Sequence, residues 1–361
     1  MSKRIYTVVT GTGSYIPDVQ VKNEDFLNHK FYDPATGEPF DKENAEIIQK
    51  FQEITNIEER RFAREDQLTS DLAALAGKDA IETAGIDPET LDFIIVAHNF
   101  GDIAHGSIQT QTLPCLANKV KGALGIKNAW VHTHDVINGC PSWVQAMIVA
   151  DAYIRTGEMK KGLVIGADVL SRISDPHDRD KMIFADGAGA VVVEGVESEE
   201  PVGILSFSSR SDTGNELEYL KMAPSDNKEL GDENCYIDML GHKIYVYGLT
   251  IVPGVVKNSI DKAGLGIEDV NKVLIHQANE KMDEAILNRL FKLYKTKGDV
   301  KAVMPMSINK LGNTSAATVP TLWDMVVKQN HEGHEIKSGD NVVLCSVGGS
   351  MNVNSIVYRV Q

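Results

Sequence analysis

Asp135-Val-Ile-Asn-Gly-Cys140-Pro-Ser-Trp143 sets a glycine, a cysteine and a proline in direct succession. Apolar positions then recur at Val144, Met147, Ile148 and Ile154, and the pattern stops at Gly157. Proline suits a first helical turn, where its missing N–H would be unsatisfied anyway, and the apolar spacing is that of one helix face. The stretch therefore predicts a strand, a sharp turn and a helix, with Cys140 at the helix N-terminus. Free backbone N–H groups and the helix dipole favour a thiolate there and are expected to lower its pKa. A cysteine is more often a small buried core residue. The strand–helix junction marks Cys140 as the nucleophile, whereas Cys115, Cys235 and Cys345 have no such setting and read as structural.

Two more windows lie further along. Leu274-Ile-His276-Gln-Ala-Asn279 ends a buried strand on a histidine whose ring can project into a cleft. Leu311-Gly-Asn313-Thr-Ser-Ala-Ala-Thr-Val-Pro320 places an asparagine after a glycine, just ahead of a helix start. Other glycine patterns carry less chemistry. Gly11-Thr-Gly13 is followed by Ser-Tyr-Ile and is no dinucleotide fingerprint, and neither a Walker nor a Gly-x-Ser-x-Gly pattern occurs.

The chain also repeats itself. Ala84-Gly-Ile86 leads to Leu91-Asp-Phe-Ile-Ile-Val96, and Ala263-Gly-Leu265 leads to Val270-Asn-Lys-Val-Leu-Ile275. Each reads as a helix stopped by glycine, an acidic turn and a buried strand. Ala84 to Ala263 and Leu91 to Val270 are both 179 residues apart. Any α/β protein repeats such units; a constant offset points to duplication. Buried strands such as Gly162-Leu-Val-Ile165 and Asn341-Val-Val-Leu344, alternating with helices, give an α/β class. The join is expected near residue 200, where Glu194 to Pro201 is acidic and turn-like.

The bulk numbers set limits. A chain of 361 residues can bury a large core, and 42% hydrophobic with 24% charged residues is ordinary for a globular protein. A formal net charge of −15 argues against nucleic-acid binding, which needs an excess of Lys and Arg. No apolar run reaches the length of a membrane span, and the N-terminus shows no signal-peptide core. The four cysteines lack the spacing of a zinc site or disulfide framework, which fits a reducing, cytoplasmic setting.

Together, the Cys140, His276 and Asn313 windows resemble β-ketoacyl-acyl carrier protein synthase III, a condensing enzyme of the thiolase superfamily. The likeness runs from Gly11-Thr-Gly-Ser-Tyr15 to Gly348-Gly349. It implies a thiolase-like fold of two duplicated halves in a layered αβαβα arrangement. Residues 1–200 would carry the nucleophile and residues 201–361 the histidine and asparagine. Cys140 would take an acyl starter from acyl-CoA. His276 and Asn313 would stabilise the enolate left when malonyl-acyl carrier protein loses CO2. The backbone N–H groups of Cys140 and Gly349 would form the oxyanion hole. Arg179, in Asp175-Pro-His-Asp-Arg179, matches a CoA-contacting arginine, and Leu113 matches a residue inserted into the partner subunit's acyl pocket. Lys281 matches a cation used for carrier-protein docking, and Arg289 extends the basic run. The resemblance implies a homodimer, acyl-CoA and acyl carrier protein as partners, and no permanently bound cofactor or metal.

The chain departs from the family in places. Lys50 and Ile54 stand where the CoA-adenine platform has a tryptophan and an arginine. Ser350 replaces a third glycine, and residues 22–50 and 98–113 exceed the usual length. Four other readings remain. The Cys–His–Asn order is also that of papain-like proteases, although this cysteine lies far from the N-terminus. A non-decarboxylative condensation needs a carboxylate base, for which the loop 98–113 offers Asp102. A specialised lipid or polyketide pathway could use the same chemistry. A non-catalytic partner subunit would be expected to lose the cysteine. His98 and His105 read as core or surface-loop residues.

Overall fold

Alternating buried strands and glycine-stopped helices build two mixed sheets, seen in a computed structural model that describes residues 3–329, 331 and 333–361. The first sheet contains β1 (Arg4–Tyr15), β2 (Phe93–Ala97), β3 (His132–Val136), β4 (Lys161–Val169) and β5 (Asp186–Ser198), in the order β1-β5-β4-β2-β3. The second contains β6 (Gly203–Ser211), β7 (Val270–Ile275), β8 (Asn341–Gly348) and β9 (Asn352–Arg359), in the order β6-β9-β8-β7. In the first sheet β5 runs antiparallel to β1 and β4, and β4 is parallel to β2. In the second, β9 runs antiparallel to β6 and β8, and β8 is parallel to β7. The two sheets thus share one topology, with β3 added to the first by parallel pairing with β2.

The repeat at offset 179 falls on the same unit of each sheet. The main helices of the chain are α1 (Asn44–Thr55), α2 (Thr69–Ala84), α3 (Leu116–Ala123), α4 (Ser142–Arg155), α5 (Gly241–Lys262), α6 (Glu280–Leu293) and α7 (Thr318–Val327). Helices α2 and α5 lead into β2 and β7. Each stops at a glycine in the left-handed region, Gly85 at φ 65° and Gly264 at φ 71°, where a side chain would be strained. One 3-10 turn follows each, Pro88–Thr90 and Ile267–Asp269.

Burial alternates along the strands and sorts the helices into layers. Phe93, Ile95 and Ala97 of β2 face α4 and α7, which lie between the sheets against Leu274, Val342 and Leu344 of the second sheet. Ile94 and Val96 face α2 and α3 on the outer side. Val343, Cys345 and Val347 of β8 face α5 and α6 on the opposite outer side. The order is α/β/α/β/α. Gly11 and Gly13 serve this packing, because a Cβ on Gly13 would sit 2.3 Å from the backbone nitrogen of Ala80 in α2.

One expectation changes. The acidic stretch from Glu194 is not a turn up to Ser198: it continues β5, paired with Arg4–Val8 of β1, because alternate side chains reach solvent at this end of the sheet. The long segment 22–50 has a core of its own. Phe26, Phe31, Ile47 and Ile48 form a separate apolar cluster with Ile183, Phe184 and Ile237, beside the mouth of the cleft described below. No helix among the described residues is long and apolar enough to cross a membrane.

Candidate active site

Cys140 sits between β3 and α4, as its local sequence requires. Pro141 is the N-cap of α4, so the sulfur lies one residue outside the helix. The turn is shaped by glycines that let the two halves meet. Gly139 has φ 69°, and a Cβ there would come 2.4 Å from the carbonyl oxygen of Gly349. A Cβ on Gly348 would come 2.6 Å from the Cys140 sulfur. Ser350, in place of the third glycine, adopts φ 61°, so the left-handed turn is kept at some strain.

The thiol does not behave as the helix terminus alone predicts. Burial pushes it up to about 11, opposed by the Ser315 side chain and the backbone N–H groups of Gly349 and Cys140, and the nearby Asp168 carboxylate adds to the rise. The side chain keeps some solvent contact, but it lies at the floor of a cleft walled by Phe100, Ile137, Leu170, Phe184, Leu220 and Ile237. In such surroundings desolvation outweighs a helix terminus one residue away. The resting cysteine is a thiol.

His276 and Asn313 enter from the second half. His276 follows β7, and its backbone N–H donates to the Cys345 carbonyl at 2.8 Å. Its ring is buried, and desolvation pulls the imidazole down to about 4, with the Ser315 backbone opposing. The ring is therefore neutral at neutral pH. Asn313 is buried and pinned on both sides: its N–H donates to Ile183, and its carbonyl accepts from Ala185, each at 2.9 Å. Its Oδ1 accepts the Ser315 N–H at 2.8 Å, which fixes the amide orientation. Among the described residues Nδ2 has no acceptor in the protein.

Three residues here were not singled out from sequence. Ser315, Asn99 and Asp168 form a buried network beside Cys140. Asp168 left a signal, as a carboxylate inside the buried run of β4; Ser315 was visible only as part of a helix start.

The other predicted positions lie outside this cluster. Arg179 is exposed and stacks on Phe40 of the 22–50 segment, 5.2 Å from the ring centroid. Lys281 and Arg289 are exposed on α6; Lys281 reaches the carbonyl of Glu53, and Arg289 donates to the carbonyl of Leu249 at 3.0 Å. Leu113 is 87% exposed. His98 is buried, bonded to Asp135 at 3.0 Å, while His105 is exposed. Asp102 is buried and engaged by the N–H and hydroxyl of Ser70 and by Lys119, each at 2.8 Å. No group of ligating side chains among the described residues could hold a metal ion.

A five-layered fold that carries Cys140 on one half and His276 and Asn313 on the other defines a thiolase-fold condensing enzyme. Residues 134–213 match the family described as 3-oxoacyl-[acyl-carrier-protein (ACP)] synthase III, and residues 260–360 match its C-terminal part. A β-ketoacyl-[acyl-carrier-protein] synthase III of Staphylococcus haemolyticus is 35% identical over 97% of this chain and 98% of that protein. The chain belongs to the β-ketoacyl-acyl carrier protein synthase III family. Among solved structures, 3-oxoacyl-[acyl-carrier-protein] synthase III from Aquifex aeolicus superposes with a TM-score of 0.79 at 29% identity, covering 98% of this chain and 99% of that one. The β-ketoacyl-[acyl carrier protein] synthase III from Thermus thermophilus gives 0.78 at 27%, with the same coverage. A protease fold is thereby set aside.

Proposed function

We propose that this enzyme joins an acyl starter, taken from acyl-CoA, to malonyl-acyl carrier protein with loss of CO2, the step that initiates fatty-acid synthesis. The observation that carries the reading is that Cys140 and Ser315 line one apolar cleft, and that the Ser315 backbone engages both Asn313 and His276. A cavity of about 220 Å3 next to the sulfur would take the starter. Attack by the Cys140 sulfur forms the acyl–cysteine thioester and releases CoA, whose thiolate takes the proton. The N–H groups of Cys140 and Gly349 would hold the tetrahedral oxyanion. Neutral His276 and Asn313 would then donate to the malonyl thioester carbonyl. Loss of CO2 leaves an enolate whose carbon attacks the acyl–cysteine, giving the β-ketoacyl product and free Cys140.

A non-decarboxylative route needs a free carboxylate base. Asp102 is committed to Ser70 and Lys119, so that reading lacks its base at the expected position. We further propose that the chain divides near residue 200, between β5 and β6, and that it acts as a homodimer through β3. This strand forms the open edge of the first sheet, and the exposed Leu113, Trp130 and Ile137 lie on or flank the segments next to it. Open strand edges and exposed apolar groups are the usual marks of a covered surface. Ile137 also lines the cavity, so Leu113 of a second copy would help set its size. Arg179 would contact CoA, and Lys281 with Arg289 would receive the acidic carrier protein.

Separating the half-reactions tests the proposal. His276→Ala and Asn313→Ala should still be acylated on Cys140 but should lose decarboxylation of malonyl-acyl carrier protein by ~100-fold or more, the typical cost of one such donor. A variant that cannot be acylated would assign that residue to activating the thiol instead.

A further inference from the structure

Asn313 can assist the reaction only if its amide is held the right way round. The last torsion of an asparagine side chain is broad and nearly two-fold, so burial alone does not choose between oxygen and nitrogen. The Ser315 N–H makes the choice by donating to Oδ1 at 2.8 Å. That N–H is aimed by an unusual backbone. Ser315 sits at φ 50°, in the left-handed region that a residue with a Cβ rarely adopts.

The turn is held from the other half of the chain. Asp168 is the next-to-last residue of β4 and is 1% exposed. Its Oδ2 accepts the Ala316 N–H at 3.2 Å and Asn99 Nδ2 at 2.7 Å, and its Oδ1 accepts the Asn99 N–H at 2.9 Å. An amide nitrogen has two hydrogens, and Asn99 Nδ2 also donates to Ser315 Oγ at 2.8 Å. Two consecutive residues of the turn are therefore tied to one carboxylate, Ala316 directly and Ser315 through Asn99. A glycine lets the turn come this close, because a Cβ on Gly166 of β4 would sit 2.2 Å from the Ala316 carbonyl oxygen. With donors on both oxygens, Asp168 is an anchor and not a base open to substrate.

We propose that Asp168 and Asn99 are positioning residues that clamp the Ser315–Ala316 turn across the two halves, so that the Ser315 N–H holds Asn313 Oδ1 and the amide presents Nδ2 to the malonyl thioester carbonyl. The clamp rests on the role proposed above for Asn313. A relaxed turn would let the amide rotate and bring Oδ1, an acceptor, toward the oxygen that gains charge as CO2 leaves. The clamp therefore serves enolate formation and not acylation of Cys140, in which Asn313 takes no part. Glycine at 315 adopts a positive φ without strain, so a turn carrying it no longer depends on the bond from Asn99.

The test measures two half-reactions separately: decarboxylation of malonyl-acyl carrier protein, by CO2 release, and acylation of Cys140 by acyl-CoA, by intact mass. The variants are Asp168→Asn, Asn99→Ala, Ser315→Gly and the double variant Asn99→Ala with Ser315→Gly. Asp168→Asn keeps the shape but turns one acceptor oxygen into a donor that faces N–H groups. It and Asn99→Ala should each lower kcat for decarboxylation about tenfold, the scale of one hydrogen bond, with KM nearly unchanged. Acylation should fall by much less. Ser315→Gly should keep most of the wild-type decarboxylation rate, and the double variant should run at least about threefold faster than Asn99→Ala, because glycine needs no clamp to hold the turn. A residue that only supports the fold would not be rescued by adding a glycine. Asn99→Ala and its rescue carry the test if Asp168→Asn does not fold. A folded Asn99→Ala that decarboxylates as fast as wild type, an equal loss of both half-reactions, or a double variant no faster than Asn99→Ala would overturn the clamp. A wild type that does not decarboxylate malonyl-acyl carrier protein would overturn the reading of Asn313, and the clamp with it.

Discussion

At the residue scale, the site is built from groups kept neutral by burial. His276 remains uncharged through the pH range where a free imidazole would titrate, so it can act as a neutral donor to a developing oxyanion. Asp283 of α6 shows the opposite side of burial. It is fully buried, both carboxylate oxygens lack a partner among the described residues, and desolvation, with Glu280 and Glu284 nearby, raises its pKa well above the usual carboxylate range. A carboxyl whose folded pKa lies above its unfolded value contributes fully below the unfolded pKa of about 3.9, and that contribution falls as pH rises toward the folded value. Asp283→Asn should therefore raise Tm more at pH 8 than at pH 4.5 in thermal melts. An equal shift at both would mean that ionisation of Asp283 is not the cost. Chemistry at this scale was partly legible. Cys140, His276 and Asn313 announce themselves because each sits in a motif at an element boundary. Ser315 and Asn99 do not, because their roles depend on a contact between chain segments 216 residues apart.

At the element scale, glycines mark both close packing and empty space, and the two respond oppositely to alanine. A Cβ on Gly13 would meet Ala80 N at 2.3 Å and Ala76 O at 2.4 Å, both backbone atoms of α2 that cannot move alone. Gly13→Ala should destabilise by roughly 1–3 kcal/mol, the usual cost of overpacking. Gly254 lies in the middle of α5 with nothing within 4 Å of its Cβ position. Gly254→Ala should stabilise by about 0.5–1 kcal/mol, since glycine is the more entropically costly residue in a helix. Chemical denaturation of both variants checks the pair, and a loss of stability in both would contradict the packing described. The helix–turn–strand units were legible because a glycine stop and a buried strand are local signals. Helix α1 and its neighbours were not, because their apolar positions find partners in Ile183, Phe184 and Ile237, far along the chain. The raised pKa of Cys140 is not legible for a related reason: the helix start is local, but the apolar walls come from elsewhere.

At the scale of the whole molecule, two sheets of one topology place Cys140 on one half and His276 and Asn313 on the other, so the proposed site exists only when both have folded. Duplication was legible as the 179-residue offset, whereas the assembly is not written in a single chain. If β3 is the interface, Trp130, 92% exposed in the monomer, is buried in the dimer. Trp130→Asp should then weaken association by at least about tenfold, seen as a shift to monomer in sedimentation velocity at micromolar protein. An unshifted dimer would place the interface elsewhere. The measurement that tests the central claim most directly is the intact mass of the protein after incubation with a panel of acyl-CoAs. Wild type should gain the mass of one acyl group, located on Cys140, and Cys140→Ala should gain none. An alanine variant acylated as fully as wild type, or a wild type that stays unmodified with every donor while condensation proceeds, would contradict it.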